Sequence, residues 1–183
     1  MYAGAATRSL TPGAGAKLDL GGYWGRKIGA SCALDPENAL FCRSLVLRAA
    51  SGRTALIVAL DLVGLDDLTC EQMRWSASRG GDVGFDATLI CCSHTHTAPL
   101  VHRGFIGMGA VSEEYVSFVA DQIRECCAAA RAALEPCTAR SVECDSVSLG
   151  VCRRVVSPYA DAMGVAHASD ASAGADSSAP WYE

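Results

Sequence analysis

Basic charge and long apolar runs are scarce in this 183-residue chain, and each scarcity excludes a class of function; histidine is scarce too, which makes any pairing of histidines stand out. A net charge of −5 and a pI near 5.3 leave no surplus of Lys and Arg to neutralise phosphates, which argues against a nucleic-acid partner. No apolar run reaches the roughly 18 to 20 residues of a membrane span. The opening Met1-Tyr2-Ala3-Gly4-Ala5-Ala6-Thr7-Arg8 has no basic region followed by an apolar one, so it does not read as a secretory signal and the expected location is cytoplasmic. None of the ten cysteines forms a Cys-x-x-Cys, and no serine sits in a nucleophile elbow. Thiolate zinc knuckles, thioredoxin-like redox pairs and Ser-His-Asp catalysis therefore lack support. Cys91-Cys92 and Cys126-Cys127 are neighbours inside expected regular elements, where they cannot easily bridge each other, and the thiols are read as reduced small hydrophobes.

Two of only four histidines stand one residue apart, in Ser93-His94-Thr95-His96-Thr97-Ala98-Pro99, directly after the apolar run 87–92. Side chains alternate faces along a strand, so both imidazoles are expected to point the same way, where they can share one metal ion at Zn–N distances of about 2.0–2.1 Å. Pro99 stops any regular continuation. The alternative is two polar residues that end a strand and hydrogen-bond to loop carbonyls.

Half of the residues are apolar, enough for one substantial core, and the patterning alternates between strands and helices. Residues 1–7 read as a strand and the glycine-rich stretch 13–29 as a loop, too irregular for a phosphate-binding fingerprint. Phe41 to Ala49 and Thr54 to Leu60 are β-rich and separated by Ala50-Ser51-Gly52-Arg53, which predicts an antiparallel hairpin. Asp66-Asp67 can cap a helix running to about Arg79, ended by Gly80-Gly81. The histidine-bearing strand follows, completing a β-α-β unit with parallel pairing, and is expected to be a central strand with the pair at its carboxyl end. Val116, Val119, Ala120, Ile123, Cys127, Ala130 and Leu134 form one apolar stripe, capped by Ser112 and ended by Glu135-Pro136. Thr138 to Leu149 reads as a further strand. From Ser157 the composition turns to Ala, Ser, Asp and Gly, and residues 157–183 are expected to be a disordered tail. The expected fold class is α/β, a mixed sheet flanked by helices.

The segment Leu89-Ile90-Cys91-Cys92-Ser93-His94-Thr95-His96-Thr97-Ala98-Pro99 resembles the stretch of neutral, non-lysosomal ceramidases that reads Thr-His-Thr-His-Ser-Gly-Pro after an apolar strand. Ala3 to Pro12 looks like that family's opening strand and its Ile-Thr-Pro. The hairpin ending in Leu60-Asp61-Leu62 is similar to the one leading to its Leu-Asp-Leu, Glu114-Tyr115 opens the matching helix, and Val151-Cys152-Arg153-Arg154 looks like its Asn-Arg-Arg. Thr97-Ala98 stands where the family has Ser-Gly, and Cys152 where it has Asn.

The resemblance, over about residues 2 to 156, implies the amino-terminal part of a zinc-dependent amide hydrolase that cleaves an N-acyl sphingoid base, an amide lipid, into fatty acid and amine. It implies His94 and His96 as two zinc ligands, with a third histidine, a glutamate and a tyrosine in later segments without counterpart here. The residues add Asp61, at the end of its strand, as an acceptor that could orient a ligating imidazole. His102, in the following loop, and His167, in the tail, are the remaining histidines to weigh as a third ligand, and the stretch 104–109 is a possible substrate entrance. The alternative function is a truncated, non-catalytic fragment that keeps the fold core and a weak metal or lipid site. A third reading has the histidines only satisfying hydrogen bonds.

Overall fold

The computed structural model describes residues 1–13, 15–23, 39–79 and 83–143. Two compact units divide the chain, Met1–Ala139 and Arg140–Glu183; the first holds every regular element described here. The expected tail and His167 lie outside the described residues, as do Gly80 and Gly81.

Strands β1 (Tyr2–Ser9), β2 (Phe41–Arg48), β3 (Thr54–Leu60), β4 (Thr88–Cys92) and β5 (Glu135–Pro136) form one sheet in the order β4-β3-β2-β1-β5. Helix α1 (Asp67–Ser78) connects β3 to β4, and α2 (Glu113–Ala132) follows β4. All pairings are antiparallel except β3 with β4, which is parallel, with Leu56 opposite Thr88 and Leu60 opposite Cys92. The mixed α/β sheet expected from the sequence is what forms. Its hairpin closes where the turn residues predict: Ala49 N–H donates to Arg53 O at 2.8 Å and Gly52 takes φ +84°.

Alternation supplies the core. Cys42, Ser44 and Val46 of β2 lie opposite Leu60, Val58 and Leu56 of β3, and all six are buried. On them pack Met73 and Ala77 of α1 and Val116, Val119, Ile123, Cys127 and Ala130 of α2, the stripe read from the sequence. Ser112 caps α2 by accepting from Tyr115 N–H, and Glu113 and Glu114 sit at the positive end of its dipole. The Tyr115 hydroxyl reaches across to donate to Leu10 O at 2.7 Å.

Helix α1 ends at Ser78 with Arg79 as its cap, as expected. Two expectations change. Among the described residues the last strand is Glu135–Pro136, paired with Tyr2 and Ala3, whereas 138–143 carry no strand and the rest of the expected strand, 144–149, lies outside the described residues. Proline lacks an N–H and fits at a sheet margin, so Pro136 marks the strand as well as the helix end. Finally β4 is an outer strand of the five, not a central one.

Candidate metal centre

The histidine pair does not lie on the strand. Strand β4 stops at Cys92, and the chain then hugs the exit of β3: Ser93 N–H donates to Leu60 O at 2.9 Å and His94 N–H to Leu62 O at 3.0 Å. His94 has φ +62°, the left-handed region that non-glycine residues seldom adopt. Backbone curvature, in place of strand alternation, brings the two rings together with centroids 4.9 Å apart and planes at 71°. The two imidazoles are adjacent as their spacing predicts, but without the strand geometry expected to make them so.

The surroundings of each ring differ. Exposed His94 is held by a hydrogen bond of 2.7 Å between Nδ1 and the carbonyl of buried Val63. A carbonyl only accepts, so Nδ1 carries a proton, and in the neutral ring Nε2 keeps its lone pair. Half-buried His96 packs edge-on to Tyr23, with centroids 4.5 Å apart, and against the backbone of Gly22. Gly22 belongs to a loop fastened by Gly21 N–H to Ala98 O at 3.1 Å and a bridge between Leu20 and Pro99. Its own N–H donates to Met108 Sδ at 3.4 Å. Asp19 completes the fastening, accepting from Ala110 N–H at 2.8 Å while its carbonyl accepts from Leu100 N–H.

Asp61 lies elsewhere in the hydrogen-bond pattern. Its Oδ2 accepts from Phe41 N–H at 3.0 Å and from Arg43 at 2.9 Å, closing the open end of the β2–β3 hairpin. The acceptor on His94 is the Val63 carbonyl, which no side-chain pattern announces. His102 stacks flat on Phe105, with centroids 3.8 Å apart, and its Nδ1 accepts from Gly104 N–H. Among the described residues, no three His, Cys, Asp or Glu side chains converge on one point, so His102 does not complete a triad with the pair. The stretch 104–109 is tied back through Met108 and Ala110 to the 19–22 loop. A cavity of about 480 Å³ opens instead beside the start of α2, lined by Pro12, Leu18, Tyr115 and Phe118, and includes neither histidine.

The spacing of the two ring centres matches that of two imidazoles sharing one ion. With Zn–N near 2.05 Å, an imidazole centroid lies about 3.2 Å from the metal, so two tetrahedrally disposed rings stand about 5 Å apart, against 4.9 Å here. Two neutral nitrogen ligands suit zinc, and the Val63 carbonyl on Nδ1 is the usual outer partner of a ligating imidazole.

The fold class is thus a mixed α/β sheet with a histidine pair at the exit of an outer parallel strand. No family model and no curated protein matches the chain. Among solved structures it is similar to a neutral ceramidase from Pseudomonas aeruginosa, at 21% identity and TM-score 0.59 over 74% of this chain. A ceramidase complexed with C2 is similar at 22% identity and TM-score 0.60, again over 74%. The chain spans 22% of the length of each. At this identity the likeness shows a ceramidase-like fold. Among the described residues, no helix is long and apolar enough to cross a membrane.

Proposed function

We propose that this chain is the histidine-bearing portion of a zinc-dependent amide hydrolase resembling neutral ceramidase, acting on N-acyl sphingoid bases or related amide lipids. The observation that carries the reading is the pair itself: two imidazoles 4.9 Å apart, one with Nδ1 committed to a backbone carbonyl, in a fold shared with neutral ceramidase. His94 through Nε2, together with His96, would hold the ion. Zinc bound there would supply Lewis-acid activation of the scissile amide and of the attacking water. The chain's own residues do the positioning: Val63 fixes the His94 tautomer and ring plane, and the 19–23 loop packs against His96. A catalytic zinc needs three protein ligands, and the described residues offer two. The reading therefore assigns the described residues one part of a site whose remaining ligands come from elsewhere, and a lone chain that holds zinc weakly. The experiment is zinc titration of the purified chain by calorimetry, with elemental analysis of His94→Ala, His96→Ala and the double variant. Weak binding lost in the double variant is expected; stoichiometric zinc retained by it overturns the reading.

A further inference from the structure

The ring of His96 occupies the space a side chain on Gly22 would need. A Cβ on Gly22 would stand 2.7 Å from both Cδ2 and Nδ1 of His96 and nearer still to Cγ, closer than Cβ atoms approach other groups. Two further rings pack on it, Tyr23 edge-on at 4.5 Å and His94 at 4.9 Å between centroids. Gly22 is not free to retreat. Its φ is +108°, its N–H is held by Met108 Sδ, and Gly21 is tied to Ala98.

We propose that Gly22 is a positioning residue for the histidine pair: the bare backbone at this point is the seat that sets the plane of the His96 ring against that of His94. The proposal deepens the metal-site reading and rests on it for its zinc readout alone. A side chain at 22 pushes the His96 ring off its seat and changes its spacing and angle to the His94 ring.

The test is a double-mutant cycle on the whole chain, with Gly52→Ala as the backbone control. Gly52 also has a positive φ, +84°, but a Cβ there meets nothing within 4 Å, so its substitution reports conformational strain without a clash. Gly22→Ala is expected to lower Tm by about 5 °C more than Gly52→Ala does, and to lose that excess in the His96→Ala background, where the obstructing ring is gone. The His96 side-chain nitrogen resonances of the metal-free protein should shift in Gly22→Ala and stay in place in Gly52→Ala. Zinc chloride affinity should fall about tenfold or more in Gly22→Ala and remain within about twofold in Gly52→Ala. Equal Tm losses in both His96 backgrounds, with unmoved resonances, overturn the proposal. If Gly22→Ala does not fold, recovery of folding in the double variant supports the seat and failure to recover refutes it. If the wild-type chain takes up no zinc, the zinc reading falls, and the Tm cycle and resonances still decide the role of Gly22.

Discussion

Asp66 joins the start of α1 to the segment that follows the histidines, and replacing it by asparagine should make that junction's pH dependence visible. Oδ1 accepts from Thr69 N–H at 2.9 Å, and Oδ2 accepts from the Thr69 hydroxyl at 2.8 Å and from Arg103 N–H at 2.9 Å. The Arg103 guanidinium stands 3.9 Å away, held on its far side by Glu113 at 2.8 Å. Burial pushes the Asp66 carboxyl upward, but the N–H groups of Arg103 and Thr69, the Thr69 hydroxyl and the guanidinium charge outweigh it and hold the pKa at about 2, below the ordinary 3.8. The folded pKa is depressed, so the stabilisation is complete above pH 3.8 and is lost as pH falls toward 2. At about 1.4 kcal/mol per pH unit, reduced for solvent screening, it amounts to roughly 1 to 2 kcal/mol. Asparagine keeps the helix cap but cannot ionise, and its amide turns toward the N–H of Arg103. Asp66→Asn should therefore show a constant loss plus this pH-dependent part, in urea unfolding followed by circular dichroism at pH 7, 5 and 3. About half of the pH-dependent gap should have closed by pH 3. A gap between wild type and variant that is the same at pH 7 and pH 3 would refute the argument.

Gly4→Ala should destabilise the fold by about 3 kcal/mol in the same assay, because a Cβ there meets the Ala130 carbonyl and lies 2.9 Å from backbone atoms of Ala133 and Leu134, which cannot rotate away. Tyr115→Phe should cost about 1 kcal/mol by orphaning the Leu10 carbonyl, with an unchanged circular dichroism spectrum as the control. In timed iodoacetamide labelling read by mass spectrometry, exposed Cys91 should be modified well before Cys92, whose thiol burial pushes up to about 11, and before fully buried Cys42, Cys126 and Cys127. The chain alone, supplied with zinc, should hydrolyse a fluorogenic ceramide negligibly; robust turnover lost in His96→Ala would mean that it holds a third ligand of its own.

The hairpin, the capped helices and the α2 stripe were legible because each is encoded within a few residues: a Gly52 turn, an Asp or Ser before an apolar period, alternation in β2 and β3. The proximity of His94 and His96 was legible from their spacing, although the backbone reaches it by a left-handed turn at His94 and not by strand alternation. What holds the pair was not. The Val63 carbonyl has no side-chain signature, and Gly22 is one glycine in a loop rich in them until the fold lays an imidazole against it. Asp61 stands where a strand-end carboxylate was noticed, but the register of β2 delivers Phe41 N–H and Arg43 to it. The rank of β4 in the sheet was misjudged because strand order depends on which later segments add to its free side, and local patterning carries no information about that.

The contacts that hold the histidine pair are long-range ones, and this sets when the centre can exist. His94 and Val63 are 31 residues apart, and Gly22 and Met108 are 86 apart, whereas Arg48 and Thr54 of the hairpin meet across a turn. Closing long loops costs entropy before any contact rewards it, so the hairpin is the natural early structure and the 19–23 loop settles late. A partly folded chain then carries both histidines without the seat or the carbonyl that orient them. On the proposed reading of the pair as a zinc site, ion affinity becomes a clock for the final stage of folding: during refolding, zinc uptake should trail the recovery of helical signal and coincide with the docking of the amino-terminal loop.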